Sequence, residues 1–177
     1  MIWVTSDTEL GHTNIIRYCN RPFNSVGEMD EKIVEQFNSL MGKNDILYHL
    51  GDLGRGNLSA LRGKFKVGTF HLILGNHDHI KNWERPYFDS ISHYKEIKHN
   101  GHNIVLSHYA MRVWNKSHHG AIQLHGHSHG TLPNLGNRQD DMGWDVWKRP
   151  LPLDEVVELL SKRPIHVIDH HNKRTNK

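Results

Sequence analysis

Short apolar runs, each bounded by Gly or polar residues, recur along the chain and predict buried β-strands. Their lengths and their β-branched or aromatic residues favour strands over helices. The five runs are Ile2–Val4, Ile46–Tyr48, Phe70–Leu74, Ile104–Leu106 and Ile122–Leu124. A later strand is expected at residues 143–147, where Asp145 is assigned a structural role.

Helical periodicity appears between the first two apolar runs. The apolar residues that share one face of this predicted helix are Met29, Ile33, Phe37 and Leu40. Ser25 and Glu28 have the spacing of a capping box at its start. Further helices are predicted over Leu58–Leu61 and Asp154–Lys162. The alternation of strands and helices predicts an α/β domain whose apolar stripes form the core.

Each of the five strand runs is followed by residue types that commonly ligate metal ions. In open α/β folds, ligands bind beyond the carboxyl ends of the strands, so these residues are expected to converge. In chain order the candidates are Asp7, Glu9, Asp52, Asn76, His108, His127 and His129. Gly51, Gly75 and Gly126 stand beside or between them, where they let the backbone turn sharply and approach an ion.

The types and number of these candidates point to more than one ion. Mixed carboxylate and imidazole ligands suit Mn²⁺, Zn²⁺ or Fe rather than Ca²⁺. Seven candidates exceed one mononuclear site and would serve two ions that share a carboxylate, a known device for in-line displacement at phosphorus. Asp7 and Glu9 stand at i and i+2, as do His127 and His129, so each pair shares a face if strand geometry persists.

Composition narrows the choice of ligands and partners. Histidine supplies 17 of the 177 residues, whereas Cys19 is the single cysteine. An intrachain disulfide and cysteine-based zinc fingers are therefore excluded, and metal ligands must be His, Asp, Glu or Asn. A net charge of +3 is too small to indicate nucleic acid or a membrane surface by itself.

The chain length and the terminal sequences indicate the number of domains and the cellular location. The first residues lack a basic region, unlike a signal peptide, and no apolar run nears the ~20 residues that span a bilayer. We therefore expect a cytoplasmic protein with no membrane partner. One domain is predicted over residues 1–168, followed by a polar, basic tail over residues 169–177.

Five segments stand in a fixed order: Asp7–Glu9, Gly51–Gly54, Gly75–Asp78, His108 and Gly126–His129. This order resembles the DxH, GDxx, GNHD, lone H and GHxH pattern of the calcineurin-like metallophosphoesterases, over roughly residues 1–150. The stretches Gly11–Asn14 and Asn20–Phe23 are similar to small bacterial and phage-type members of that family. The resemblance implies an α/β fold of two stacked β-sheets flanked by helices, in a four-layer αββα arrangement.

The resemblance also implies a role for each candidate. The first ion would be held by Asp7, Glu9, Asp52 and His129, and the second by Asp52, Asn76, His108 and His127. A hydroxide bridging the ions would attack phosphorus in line. His77, oriented by Asp78, would protonate the leaving oxygen or stabilise the phosphoryl charge. Two divalent ions are implied, Mn²⁺ first, with Zn, Fe, Ni or Co as alternatives.

Position 9 departs from the family pattern, which has histidine where this chain has Glu9. Glutamate still ligates metal, and it raises the number of anionic ligands from two to three against a formal +4. The pKa of the bridging water should rise, and harder ions such as Mn²⁺ should be preferred. Alternatively, Glu9 points away from the site and the first ion binds weakly.

Residues near the motif ends are candidates for binding substrate phosphate. They are His12, Asn14, Arg21, Arg55 and Tyr109. For each of them, a solvated or ion-paired surface role is the simpler alternative. The histidines with no partner at a suitable spacing are assigned to surface or packing roles, and these are His118, His119, His166, His170 and His171.

The implied activity is hydrolysis of a phosphodiester or phosphomonoester that is nucleotide-like or another small molecule. A phosphodiester is favoured, because no inserted cap domain is visible and an open site would accept bulky leaving groups. Two alternatives stay open. One is a dinuclear-metal nuclease on DNA or RNA, for which the chain offers few basic residues near the motifs. The other is a degenerate metallophosphoesterase scaffold used for protein interaction. The sequence does not indicate an oligomeric state.

Overall fold

The computed structural model describes residues 1–171 and contains two stacked β-sheets. The strands of the first sheet are β1 (Ile2–Thr5), β2 (Ile46–His49), β3 (Thr69–Ile73), β4 (Ser90–Ser92) and β9 (Leu151–Pro152). Their order is β4-β3-β2-β1-β9. The first four strands run parallel, and β9 runs antiparallel to β1. Four parallel strands therefore end at one edge of this sheet.

The second sheet has the order β5-β6-β7-β8. Its strands are β5 (Tyr94–His99), β6 (His102–Ser107), β7 (Ile122–His125) and β8 (Gln139–Asp141). A tight turn at Asn100 and Gly101, both with positive φ, joins β5 to β6 as an antiparallel hairpin. The pairs β6–β7 and β7–β8 are parallel. The five apolar runs of the sequence correspond to β1, β2, β3, β6 and β7.

Helices flank the two sheets. They are α1 (Thr13–Tyr18), α2 (Val26–Leu40), α3 (Leu58–Arg62), α4 (Trp144–Trp147) and α5 (Leu153–Ser161), with 3₁₀ turns at Asn82–Tyr87 and Ser117–His119. Ser25 caps α2 by accepting a hydrogen bond from the Glu28 amide at 3.2 Å. Leu40, predicted to share the buried face of α2, is 42% exposed because the helix ends there, and Met41 is buried instead.

The late strand predicted over residues 143–147 is wrong, because these residues form α4. The Trp144 amide donates to the Ser6 carbonyl at 2.9 Å, which ties the start of this turn to the end of β1. The Lys148 amide then donates to the Trp144 carbonyl at 2.7 Å, and a left-handed Lys148 ends the helix. The alternation of apolar and polar residues that suggests a strand therefore lies on a single helical turn.

Apolar side chains form two main layers. One lies between α2, α3 and the outer face of the first sheet, and it includes Phe37, Leu61 and Phe70. The other lies between the two sheets and against α5, and it includes residues of both sheets such as Val4 and Leu124. The predicted architecture of two sheets flanked by helices is confirmed. No helix within residues 1–171 is long and apolar enough to cross a membrane. Residues 172–177, most of the predicted tail, lie outside the described part of the chain.

Candidate metal centre

The loops that follow β1 and β2 run side by side beyond the end of the sheet. The Asp7 amide donates to the Gly51 carbonyl at 2.9 Å, and the Glu9 amide donates to the Asp52 carbonyl at 3.1 Å. These bonds continue the parallel pairing of the two strands past their last ladder residues. The carboxylates of the two loops therefore meet at the carboxyl edge of the sheet, as the sequence predicts.

Five of the seven candidate ligands have a left-handed backbone conformation. The φ angles are 54° at Asp7, 54° at Glu9, 55° at Asp52, 68° at His127 and 47° at His129. Such conformations cost about 1–3 kcal/mol each and cluster at functional sites, where the surrounding structure enforces them. The extended geometry assumed for the i, i+2 pairs does not persist. The side chains meet because each loop turns sharply.

Three glycines leave room for the candidate ligands. A Cβ on Gly75 would overlap the Asp52 carboxylate, and a Cβ on Gly126 would overlap the side chains of Ser6 and Asp7. A Cβ on Gly51 would lie 2.5 Å from Nδ1 of His108. The glycines next to the motifs therefore serve mainly to let neighbouring side chains approach the backbone closely.

His129 is held by a carboxylate from α4. Its Nδ1 lies 2.7 Å from Oδ2 of Asp145, and because a carboxylate only accepts, Nδ1 carries the proton. The free Nε2 faces Oδ1 of Asp7 at 3.9 Å. The guanidinium of Arg21 donates two hydrogen bonds to the same carboxylate, at 2.9 and 2.7 Å. Burial raises the pKa of Asp145, but hydrogen bonds from His129 and Arg21 outweigh it and lower the pKa to about 2.

A second group of ligands forms around Asn76. The His108 Nδ1 lies 2.8 Å from the Leu50 carbonyl and so donates to it. Its Nε2 then faces Oδ1 of Asn76 at 3.0 Å and Oδ2 of Asp52 at 3.4 Å. Nδ1 of His127 lies 3.0 Å from the same Asn76 oxygen. The side chains of Asp52, His108 and His127 bring ligand atoms within 4.8 Å of one another.

The electrostatics of the centre favour a bound cation. Asp7 is fully buried, and its burial raises the pKa to about 7 even though His129 lowers it. Burial lowers the pKa of His108, but the carboxylates of Asp52 and Asp7 outweigh this and raise it to about 9. Burial thus disfavours the charged form of Asp7, and a bound cation would stabilise that form. This donor set of carboxylates, imidazoles and one amide oxygen fits a divalent transition-metal ion.

Relatives of this protein match almost its whole length. Uncharacterized protein MJ1445 of Methanocaldococcus jannaschii is 31% identical over 172 residues, covering 91% of this chain and 92% of that protein. The Gene 66 protein of Mycobacterium phage L5 is 28% identical over 194 residues, covering 90% and 93%. The phage relative agrees with the expected phage-type member. No protein-family model matches the sequence.

Solved structures share the fold. AQ665 of Aquifex aeolicus, a protein of unknown function, superposes with a TM-score of 0.69 at 24% identity, covering 90% of this chain and 98% of that one. A novel archaeal phosphodiesterase superposes with a TM-score of 0.50 at 16% identity, covering 80% and 81%. The chain belongs to the same family as MJ1445 and shares the fold of these solved structures.

Glu9, the departure from the superfamily pattern, points into the centre. It is 2% exposed, and its carboxylate approaches ligand atoms of Asp52 and His77 within 4.8 Å. Its Oε2 also lies 2.9 Å from Nδ1 of His12 and 3.9 Å from Nε of Arg55. The Glu9 carboxylate therefore faces the centre and also contacts His12 and Arg55, two of the residues that the sequence predicts as candidates for substrate binding.

The superfamily motif residues His77 and Asp78 lie in different environments. Nδ1 of His77 pairs with Nη1 of Arg55 at 3.0 Å. The expected pairing of His77 with Asp78 is wrong. Asp78 is buried and accepts hydrogen bonds from the amides of Asp52, Leu53 and Gly75, at 2.7, 3.0 and 2.9 Å. Asp78 therefore holds the loop that carries Asp52, and its carboxylate is engaged by these three backbone amides.

The structure also corrects the expectation for Arg21. Its side chain is buried, and its guanidinium donates to Asp145 and to the carbonyls of Asp7 and Thr8, both at 2.8 Å. With its donors engaged inside the protein, Arg21 is not available to a substrate phosphate.

Of the other candidates for substrate binding, His12, Arg55 and Tyr109 contact residues of the centre, whereas no such contact is seen for Asn14 within residues 1–171. The His12 ring centroid lies 6.4 Å from that of His77, and Tyr109 stands edge-on to His127 at 4.5 Å. Arg55 and Tyr109 are partly exposed at the mouth of the site. Asn14 is exposed on α1.

Two contacts in the candidate site are not predicted from the sequence, those of Asp145 with His129 and of Arg55 with His77. Asp145, which holds His129, lies 16 residues beyond it in a segment with a strand-like pattern. Arg55 reaches His77 across 22 residues. Neither pair has a local spacing signal, because each depends on how separate loops pack.

Proposed function

We propose that this protein is a divalent-metal-dependent phosphoesterase that prefers phosphodiesters and also accepts phosphomonoesters. The observation that carries the proposal is the position of Asp52. Its carboxylate belongs to two clusters of ligand atoms, one with His108 and His127 and one with Glu9 and His77. A shared carboxylate between adjoining ligand groups is what a two-ion site requires.

We assign two divalent ions to this centre, with Mn²⁺ as the first expectation and Zn, Fe, Ni or Co as alternatives. The proposed ligands are Asp7, Glu9, Asp52 and His129 for one ion and Asp52, Asn76, His108 and His127 for the other. When bound, such ions stabilise charge on a phosphoryl group and lower the pKa of an attacking water. The buried partners Asp145 and the Leu50 carbonyl keep two of the imidazoles in the tautomer that ligation needs.

His77 is the proposed hydrogen-bond donor to the leaving oxygen or to the phosphoryl group. A guanidinium has only donors, so the contact from Arg55 makes Nδ1 of His77 an acceptor and places the proton on Nε2. The His77 amide donates to Oδ1 of Asp52 at 2.9 Å, which fixes the residue beside the shared ligand. With Nδ1 accepting from Arg55, the ring carries one proton, and its Nε2–H can donate a hydrogen bond that stabilises negative charge on the leaving oxygen or the phosphoryl group without transfer of that proton.

A cavity that adjoins the segment carrying His127 and His129 is the proposed position for the second organic group of a diester. Its volume is about 530 Å³, and its walls include Leu132, Leu135 and Val146 together with His125 and Gly130. His125 and Gly130 flank the segment that carries His127 and His129. A monoester has no second organic group to place there, whereas a diester has one.

The alternative of a nuclease receives less support. Arg62, one of the few basic residues near the motifs, donates to the carbonyls of Phe65, Val67 and Gly68 at 2.9–3.1 Å. It is therefore not available for a basic track along a nucleic acid backbone. A degenerate scaffold is not favoured either, because the ligand set is present and its histidines are oriented for ligation.

The test is hydrolysis of bis-p-nitrophenyl phosphate and p-nitrophenyl phosphate by metal-stripped protein after addition of Mn²⁺, Ni²⁺, Co²⁺ or Zn²⁺. We expect metal-dependent turnover that favours the diester. His108→Ala should abolish it, whereas His93→Ala, at an exposed position between β4 and β5, should not. An absence of turnover with all four ions would contradict the proposal, and preferential cleavage of DNA or RNA would replace it by the nuclease.

A further inference from the structure

Asp141, the last residue of β8, joins the two segments that carry His129 and its partner Asp145. Its Oδ2 accepts a hydrogen bond from the Gly130 amide at 2.9 Å, and its Oδ1 accepts one from the Gly143 amide at 2.8 Å. Gly130 directly follows His129, and Gly143 directly precedes α4, which carries Asp145. One carboxylate therefore connects the loop of a candidate ligand to the helix that supplies the partner of that ligand.

Asp141 is itself held in place by the second sheet. It pairs in parallel register with His125, the last residue of β7. The indole N–H of Trp147 donates to the Asp141 carbonyl at 2.7 Å, and the Met142 amide donates to the His125 carbonyl at 2.7 Å. Asp141 is 7% exposed, so water competes little for its two oxygens. A buried carboxylate that accepts one amide on each oxygen holds those two amides in a fixed relation.

The backbone at His129 depends on such a restraint. His129 and Gly130 both have positive φ, at 47° and 78°. In a histidine this conformation persists only where the surrounding structure enforces it. The amide that donates to Oδ2 of Asp141 belongs to the planar peptide that joins His129 to Gly130. The hydrogen bond therefore restrains the backbone from which the His129 ring projects.

The second amide fixes the start of α4. This helix has four residues, and so short a helix does not hold its own position by internal hydrogen bonds. The distance of 2.7 Å between Nδ1 of His129 and Oδ2 of Asp145 therefore depends on how two short segments lie relative to each other. Asp141 accepts a hydrogen bond from each of these segments.

We propose that Asp141 is a positioning residue for the His129–Asp145 pair and, through this pair, for the candidate metal centre. The inference rests on the proposed function only in taking His129 as a ligand. The competing explanation is a direct effect of the Asp141 charge, because its carboxylate is close to that of Asp7. A Cβ added to Gly143 would lie 2.9 Å from Oδ1 of Asp141 and 3.3 Å from Oδ2 of Asp7. The experiments below separate the two explanations.

The first measurement needs no metal. Long-range ¹H–¹⁵N NMR of the metal-free protein at alkaline pH shows which nitrogen of His129 carries the proton, and His129→Gln identifies the signals. We expect Nδ1–H in the wild type, because Nδ1 faces a carboxylate. Asp141→Asn should give a mixture with the Nε2–H form, because its side-chain oxygen accepts from one of the two amides and its NH₂ group opposes the other.

The matched control for this measurement is Asp140→Asn. Asp140 is the neighbouring acidic residue of β8 and pairs with Arg163, so this variant should keep the wild-type signals of His129. An unchanged His129 tautomer in Asp141→Asn would overturn the proposal. The readout involves neither substrate nor metal, so it gives the same answer whether or not the protein hydrolyses phosphoesters.

The second measurement is titration of the metal-stripped protein with Mn²⁺. Asp141→Asn should weaken binding by about 10–100-fold, whereas Asp140→Asn should bind as the wild type does. In a His129→Gln background, Asp141→Asn should cause little further loss, because it acts through the ring that is missing. An equal loss in both backgrounds would show that the charge of Asp141 acts on the ions directly, which would also overturn the proposal.

Asp141→Glu provides an independent variant and replaces Asp141→Asn if melting temperatures show that the latter has lost its fold. It keeps the negative charge but displaces the carboxylate by one methylene group. Positioning predicts weaker Mn²⁺ binding and a mixed His129 tautomer in Asp141→Glu, whereas a pure charge effect predicts wild-type behaviour in both measurements.

Discussion

Arg55 donates a hydrogen bond to Nδ1 of His77 across 3.0 Å, and its Nε lies 3.9 Å from the carboxylate of Glu9. One guanidinium therefore contacts both His77 and Glu9, the residue that departs from the superfamily pattern. Glu9 lies beside the guanidinium, and the guanidinium fixes the tautomer of His77. The glutamate at position 9 is thus connected to the hydrogen bonding of His77 as well as to the candidate metal ligands.

The first prediction concerns the hydrogen bond from His77 to the leaving oxygen. His77→Ala should slow hydrolysis of an alkyl phosphodiester by about 10²–10³-fold, because the negative charge on a poor leaving group needs a hydrogen-bond donor. The loss should be much smaller with bis-p-nitrophenyl phosphate, since p-nitrophenolate leaves without that stabilisation. The measurement is kcat for both substrates at saturating Mn²⁺. An equal loss with both substrates would show that His77 does not act on the leaving oxygen.

The second prediction separates the action of Arg55 on His77 from direct binding of phosphate. Arg55→Ala should lower kcat for the alkyl diester by about 10–100-fold through misplacement of the His77 N–H, with a smaller change in KM. In a His77→Ala background the same substitution should have little further effect, because coupled residues are not additive. If Arg55→Ala costs as much in that background, Arg55 acts on the substrate itself.

The third prediction concerns the carboxylate behind His129. Asp145→Asn should weaken metal binding by about 10–100-fold, because the amide can present its N–H to His129 and no longer stabilises the tautomer that ligation needs. Titration of the metal-free protein with Mn²⁺ measures this. Asp140→Asn is the matched control, since Asp140 is also an acidic residue near the site but pairs with Arg163. Wild-type affinity in Asp145→Asn would remove the proposed role of Asp145.

The fourth prediction concerns the close approach of backbone and ligand. Gly75→Ala should reduce metal affinity and lower the free energy of unfolding by about 1–3 kcal/mol, because the new Cβ must displace Asp52. Gly42→Ala should behave like the wild type, since no atom lies within 4 Å of the Cβ it would add. Chemical denaturation and metal titration of both variants provide the comparison. Similar behaviour of the two variants would contradict the packing argument.

The fifth prediction concerns the charge at position 9. Glu9→His removes one anionic ligand, so a water near the ions should lose its proton at lower pH. The pH–rate profile of Glu9→His should therefore move toward acid relative to that of the wild type, and the preference for Mn²⁺ over Zn²⁺ should decrease. A profile that stays in place would refute the charge argument.

Individual positions show which structural features can be predicted from the sequence. The sequence predicts β1, β2 and the candidate ligands that follow them, because strand length, apolar content and residue type are local properties. Asp78 is different. Its residue type and motif position suggest a partner for the His77 ring, yet its carboxylate satisfies three amides of buried loops. Which donors need an acceptor is known only once the loops have packed.

The sequence by itself determined the α/β class, the identities of the candidate ligands, and the elements with a clear local pattern, which are β1, β2, β3, β6, β7, α2, α3 and α5. These follow from periodicity and from residue chemistry, which need no long-range information. The tertiary structure decided the partners: Asp145 behind His129, Arg55 beside His77, and His118 against His171. Each partnership joins side chains 16 to 53 residues apart. The distances between these side chains depend on the directions in which loops leave different strands. A local pattern of residue types does not specify those directions.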